Sequence, residues 1–106
     1  MAVAQEEIFG PVAPLIVFET EAELIALAND TIYGLAAYLF TRDLGRAWRV
    51  GEALEYGMVG INEGILSSAA APLGGVKQSG FGREGSRQGL EDYPDTKYRW
   101  MGGLSA

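Results

Sequence analysis

The chain contains no cysteine and no histidine. Without cysteine there is no disulfide framework, no thiolate metal site and no thiol nucleophile. Without histidine a Ser/His/Asp triad is excluded, and so are metal centres built on imidazole. Carboxylates alone remain as ligands, and the adjacent pairs Glu6-Glu7 and Glu91-Asp92 point to different sides of whatever element holds them. Basic residues are scarce as well, eight against fourteen acidic ones, for a net charge of −6. Nucleic acid recognition needs a cationic footprint, so no nucleic acid partner is expected. No apolar run approaches the roughly 18 residues of a membrane-spanning helix, and Gln5-Glu6-Glu7 is unlike the start of a signal peptide. No membrane partner is expected, and the cytoplasm is the expected location.

What is present is an ordinary globular composition, 48% hydrophobic and 21% charged over 106 residues. That is one domain at most, or part of one. A chain this short leaves roughly 35–40% of its unfolded surface exposed, so its stability alone is modest.

The pattern along the chain alternates strand and helix. Residues 13–19 form a compact apolar run after Gly10-Pro11 and read as a buried strand. Thr20 and Glu23 make a capping-box pair, and Leu24, Leu27 and Ala28 continue at helical spacing, which predicts a helix over 21–29. Residues 35–40, apolar on both faces, read as a strand inside a covered sheet. Asp43 or Thr41 caps a second helix through Leu44, Ala47, Trp48, Gly51 and Leu54, with Gly57 placed to end it. Residues 57–62 follow as a third strand. A long loop over 63–82, rich in Gly, Ser and Ala, has no period, and loops of that length are usually functional. Residues 83–93 read as a third helix with Glu84–Arg87 and Arg87–Glu91 pairs, stopped by Pro94. The alternation in 97–101 predicts a terminal strand. The fold class is α/β.

Several motifs lead nowhere on their own. Gly80-Phe81-Gly82-Arg83-Glu84-Gly85 matches a dinucleotide fingerprint, but a loop precedes it and too little chain follows for a βαβ unit. The glycines are better read as permitting sharp turns. Gly75-Val76-Lys77-Gln78-Ser79 is no phosphate-binding loop, because the lysine lies before the closing glycine. Tyr33, Trp48, Tyr93, Tyr98 and Trp100 lack a basic groove and read as core or interface anchors. Glu7, taken alone, is a solvated glutamate before a turn.

In combination the motifs say more. Glu7-Ile8-Phe9-Gly10-Pro11, then Pro72-Leu73-Gly74-Gly75-Val76-Lys77-Gln78-Ser79-Gly80-Phe81-Gly82-Arg83-Glu84, then Tyr93 and Lys97-Tyr98, resemble in order and spacing the C-terminal part of the NAD(P)-dependent aldehyde dehydrogenases. Gly57-Met58-Val59-Gly60-Ile61-Asn62-Glu63-Gly64, Leu66-Ser67-Ser68 and Gly102-Gly103-Leu104 look like the succinate-semialdehyde branch of that family. The resemblance implies residues 1–94 as the C-terminal part of a catalytic domain and 95–106 as a tail with an oligomerisation strand. In that family a cysteine thiolate attacks the aldehyde, hydride passes to the nicotinamide, and the thioester is hydrolysed with a glutamate base. All of those groups belong upstream of this segment.

By the same resemblance, Glu7 matches the glutamate that accepts hydrogen bonds from the nicotinamide ribose. Phe9 matches the aromatic residue packed near the nicotinamide, and Ser67 a serine that helps hold the distal carboxylate of the substrate. Asn62 and the glycine-rich loop are expected to shape the substrate tunnel and subunit contact. Leu73 stands where phenylalanine is usual, and Ala69-Ala70-Ala71 replaces a more polar stretch, so the tunnel wall differs. Met1-Ala2-Val3-Ala4-Gln5-Glu6-Glu7 resembles internal family sequence, which makes Met1 read as an internal position. The implied cofactor is NAD or NADP. The implied partners are the upstream part of the same enzyme, a small aldehyde, and further copies joined through the terminal strand. The competing expectation is a free-standing assembly module that uses the unpaired strand edge of 97–101 and carries out no catalysis.

Overall fold

A computed structural model describes residues 2–103. Its regular structure runs α1 (Glu21–Asn29), β1 (Ala36–Leu39), α2 (Leu44–Ala53) and β2 (Met58–Ile61), with single 3-10 turns at Ala2–Ala4, Lys77–Ser79 and Gln88–Leu90. Both helices start where a side chain satisfies an orphan amide. The Thr20 hydroxyl accepts from the Glu23 N–H at 3.1 Å, and the Glu23 carboxylate reaches back to the Glu19 N–H at 2.9 Å. Asp43, rather than Thr41, caps α2 by accepting from the Arg46 N–H at 3.0 Å. Thr41 instead accepts from the Asp43 N–H at 3.1 Å and fixes the approach to the cap.

The crossover through α2 brings β1 and β2 together as a parallel pair, in register from Ala36↔Met58 to Leu39↔Ile61. Parallel pairing needs such a connection, since a tight hairpin cannot supply it. The ladder continues at both ends, with Gly57 N–H donating to Gly34 and Asn62 N–H to Leu39, each at 2.9 Å. The glycine-rich loop packs directly on this pair. A Cβ at Gly57 would lie 1.9 Å from the Gly74 carbonyl oxygen, so only glycine allows the approach.

On its outer side α2 is clasped to α1 by Glu21, which accepts from Arg46 at 3.2 Å and Arg49 at 2.9 Å. The apolar centre is small. Ala47 and Val50 are its buried hydrophobic side chains among the described residues, Val50 with 2% of its surface exposed. The radius of gyration is 19.7 Å and the long axis 74 Å, against about 13 Å for a compact chain of this length. None of the described helices is long and apolar enough to cross a membrane.

Three expected elements differ. Residues 13–19 form no strand: they have no ladder partner, and Leu15 and Val17 stay exposed. A strand is a two-body structure, and hydrophobicity alone does not make one. The helix expected over 83–93 is replaced by turns around one 3-10 turn. Gly85 and Ser86 take left-handed φ values of 70° and 55°, while Glu84 is extended and exchanges two 2.7 Å hydrogen bonds with Leu73. No right-handed helix survives those dihedrals. Residues 97–101 are likewise unpaired, with Tyr98 and Trp100 exposed. Met1 and Leu104, each part of a sequence signature above, lie outside the described residues. Gly80, Gly82 and Gly85 all have positive φ, so the apparent dinucleotide motif is a set of turns.

Candidate functional site

The glycine-rich loop is held by a polar knot at the ends of the two helices. Gly34 is its hub: its carbonyl accepts from both Gly57 and Val76 at 2.9 Å, and its N–H donates to the Ser79 hydroxyl at 2.8 Å. Gln78 N–H donates to the Ile32 carbonyl at 2.9 Å. Lys77, between them, has a left-handed φ of 54°. Its ammonium donates to the Asn29 carbonyl at 3.0 Å and the Thr31 carbonyl at 3.3 Å, and pairs with Glu55 at 2.6 Å. The Asn29 carboxamide clamps the end of α2, donating to the Ala53 carbonyl at 2.8 Å and accepting from the Glu55 N–H at 2.9 Å. The Tyr56 hydroxyl donates to the Ala28 carbonyl at 2.7 Å. Further along, the Arg83 guanidinium donates to the carbonyls of Gly75 and Gly82 at 2.9 and 2.7 Å.

This knot forms one wall of a groove of about 430 Å³. Thr31, Tyr33, Leu35, Gln78 and Ser79 line that wall, and Gln5, Glu6 and Glu7 of the N-terminal segment stand opposite. Among the described residues no hydrogen bond crosses the groove to Glu7. The lining has two carboxylates and no cation, because Lys77 turns its charge toward Glu55. An ionised carboxylate is acceptor-only, so the groove suits a neutral group rich in hydroxyl donors. It does not suit a diphosphate, which needs cations or bare N–H groups.

The three residues singled out from the sequence do not converge. Glu7 lines that groove; Phe9, 94% exposed, is outside its lining. Ser67 lies in a separate, shallower groove with Ser68, Ala69, Leu73, Glu84 and Gly85. Leu73, expected to change the tunnel wall, is thus beside Ser67. Asn62 sits apart from both, its carboxamide engaged with the backbone of Thr41. A third groove, lined by Phe18, Leu24, Tyr38, Phe40 and Val50, opens over the sheet.

Sequence reading missed Lys77, Ser79 and Asn29 as organisers of the groove. Ser79 reaches Gly34 across 45 residues. Lys77 reaches the Asn29 and Thr31 carbonyls across 48 and 46, and Glu55 from a separate part of the chain. Asn29 reaches Ala53 and Glu55 across 24 and 26. The usable signal was the lysine inside a glycine-rich stretch, a cation with no nearby carboxylate to answer it. Two carboxylates outside the groove are held below their ordinary range. For Glu21 the Arg49 hydrogen bond is the leading cause, aided by Arg46. For Asp43 it is the Arg46 backbone N–H it caps, aided by Gly45.

Residues 1–99 match the model of the aldehyde dehydrogenase family. The succinate-semialdehyde dehydrogenase [NADP(+)] of Escherichia coli is 62% identical over 100 residues, covering 94% of this chain and 21% of that protein. The crystal structure of succinate-semialdehyde dehydrogenase from Burkholderia pseudomallei superposes with a TM-score of 0.85 at 68% identity, over 88% of this chain and 19% of that one. Betaine aldehyde dehydrogenase from Staphylococcus aureus, in complex with NAD+, superposes with a TM-score of 0.85 at 54% identity, over 88% and 18%. The chain spans about a fifth of the length of the relatives it matches.

Proposed function

Since the chain belongs to the aldehyde dehydrogenase family, we propose that it is the C-terminal segment of a succinate-semialdehyde dehydrogenase. In that enzyme it supplies cofactor and substrate contacts and leaves bond making to groups carried upstream. One observation carries the reading: 94% of the chain aligns at 62% identity with a fifth of a succinate-semialdehyde enzyme. The exposed apolar side chains Phe18, Tyr38 and Phe40 beside β1 and the small buried centre agree with a segment that packs against more of its own enzyme. A free-standing interaction module is set aside, because the family match runs through residues 1–99.

In this assignment Glu7 accepts hydrogen bonds from the nicotinamide ribose hydroxyls, an ionised acceptor facing two donors. Phe9 packs against the nicotinamide and orients it. Ser67 donates to the distal carboxylate of the aldehyde substrate. NAD or NADP, when bound, supplies the hydride acceptor; no group of this chain replaces it. Residues 97–101, unpaired in this chain, pair along the sheet of another subunit, which makes the enzyme a homo-oligomer.

The test is turnover. The purified chain of 11.3 kDa does not oxidise succinate semialdehyde with NAD or NADP. Exchanged for the matching stretch of the Escherichia coli enzyme, it supports oxidation. Turnover by the isolated chain, or a well-folded but inactive hybrid, refutes the assignment.

A further inference from the structure

The polar knot is one-sided, and that asymmetry bears on how the groove binds. The wall containing Gln78 and Ser79 is tied down by several hydrogen bonds, while Glu7 has none across the groove among the described residues. Lys77 sits at the pivot. Its left-handed φ is disfavoured for a residue with a side chain. An ammonium has three donors, and here each has an acceptor: Asn29 carbonyl, Thr31 carbonyl and Glu55 carboxylate. Two of these lie at or just past the C-terminus of α1, where unpaired carbonyls and the helix dipole favour a cation. The backbone turn at Lys77 sends its own side chain to the helix ends, while the next two residues line the groove.

We propose that Lys77 is a positioning residue. Its ammonium anchors the Gln78–Ser79 wall to the ends of α1 and α2, and so sets the affinity of the groove for the hydroxyl-rich ligand that Glu7 faces. That this ligand is the nicotinamide ribose rests on the function proposed above.

Two measurements test the inference. In the chain alone, amide hydrogen exchange compares Lys77→Met with the unaltered protein. Exchange at Gly34, Val76 and Gln78 is expected to rise about tenfold, with the α2 amide of Ala47 unchanged. Unchanged exchange at Gln78 overturns the anchoring role. In the Escherichia coli hybrid, Lys77→Met is expected to raise the KM for cofactor about tenfold with kcat within about twofold, the loss of a charged hydrogen-bond anchor. Lys77→Arg, which keeps the charge and the donors, recovers most of that loss. A fall in kcat at unchanged KM, or equal losses in the two variants, overturns the proposal. Glu7→Gln separates the two readings. If it leaves the cofactor KM unchanged while Lys77→Met still loosens Gln78 and raises that KM, the ribose assignment to Glu7 has failed and the anchoring role stands.

Discussion

Asn62 holds Thr41 with both arms of its carboxamide: Oδ1 accepts the Thr41 N–H at 2.8 Å and Nδ2 donates to the Thr41 carbonyl at 2.9 Å. The side chain thereby imitates one more residue of the β1–β2 ladder, just beyond the Leu39↔Ile61 pair. Asparagine suits the position, since its φ of 56° lies in the left-handed region that it tolerates better than most residues. Its fixed place at the sheet end is why it does not line the groove with Glu7.

Replacing Asn62 by alanine removes both hydrogen bonds and leaves a strained backbone, at a cost of about 2–3 kcal/mol. Asn62→Gly also loses the hydrogen bonds but is free of the strain, and is expected to be the less destabilised variant. Urea midpoints of the two, with exchange at the Thr41 amide, check this. Equal losses would remove backbone strain from the account.

Gly57→Ala acts through the loop. The new methyl meets the Gly74 carbonyl oxygen at 1.9 Å and the Gly75 Cα at 2.7 Å, and both are backbone. The loop has to lift off the sheet, which breaks the Val76–Gly34 hydrogen bond. Faster proteolysis within residues 63–82, with the helical circular dichroism retained, is the expected result. An unchanged cleavage pattern contradicts the packing described.

Acid loosens the α1–α2 clasp. The Glu21 carboxyl is held below its ordinary 4.5, by the Arg49 hydrogen bond first, and Asp43 below its ordinary 3.8, by the Arg46 amide it caps. A lowered folded-state value means that the contribution is complete above the unfolded value. It is lost as pH falls through the folded one. Helix content is therefore flat above about pH 5 and declines below about pH 4. Glu21→Gln flattens part of that decline, and added salt weakens the Glu21 part. A decline between pH 5 and 7 contradicts this assignment.

The apolar surface of the isolated chain is open. Phe18, Tyr38, Phe40, Trp48 and Trp100 are all exposed. The chain alone is expected to enhance the fluorescence of a hydrophobic dye such as ANS, as incompletely covered cores do. The Escherichia coli hybrid is expected to give much less signal per mole. Equal signals would mean that this surface is not what the rest of the enzyme covers.

Ser67→Ala in the hybrid separates binding of the substrate's charged end from chemistry. Loss of one hydrogen bond to a carboxylate raises the KM for succinate semialdehyde about tenfold. An uncharged aldehyde of similar length is affected far less. A matching effect on both aldehydes removes Ser67 from carboxylate recognition.

How much of this was legible in the sequence depends on how local the cause is. Both helices and the paired strands appear within a few residues of where the pattern puts them, because Thr20, Asp43 and helical spacing act over one or two turns. The face of α2 that turns inward is Ala47 with Val50, while the expected Leu44 and Trp48 are exposed. The failures share a different cause. Residues 13–19 and 97–101 have strand chemistry but no neighbour to bond, and 83–93 yields to the dihedrals of Gly85 and Ser86 and to the Leu73–Glu84 bridge. For the site, resemblance supplied Glu7, Phe9 and Ser67. The groove's stiff wall depends on contacts such as Lys77 with Asn29, 48 residues apart, which no local pattern encodes.

The clamp made by Asn29 also bears on where this chain can be produced. Asn29-Asp30-Thr31 spells the acceptor triplet for N-linked sugar. The nitrogen that a glycan would occupy is the one donating to Ala53 at 2.8 Å, in a part-buried contact between the two helix ends. Once folded, the chain holds that nitrogen in its contact with Ala53. Carried through a secretory pathway before folding, it would be glycosylated at the residue that joins α1 to α2, and the sugar would hold those helices apart.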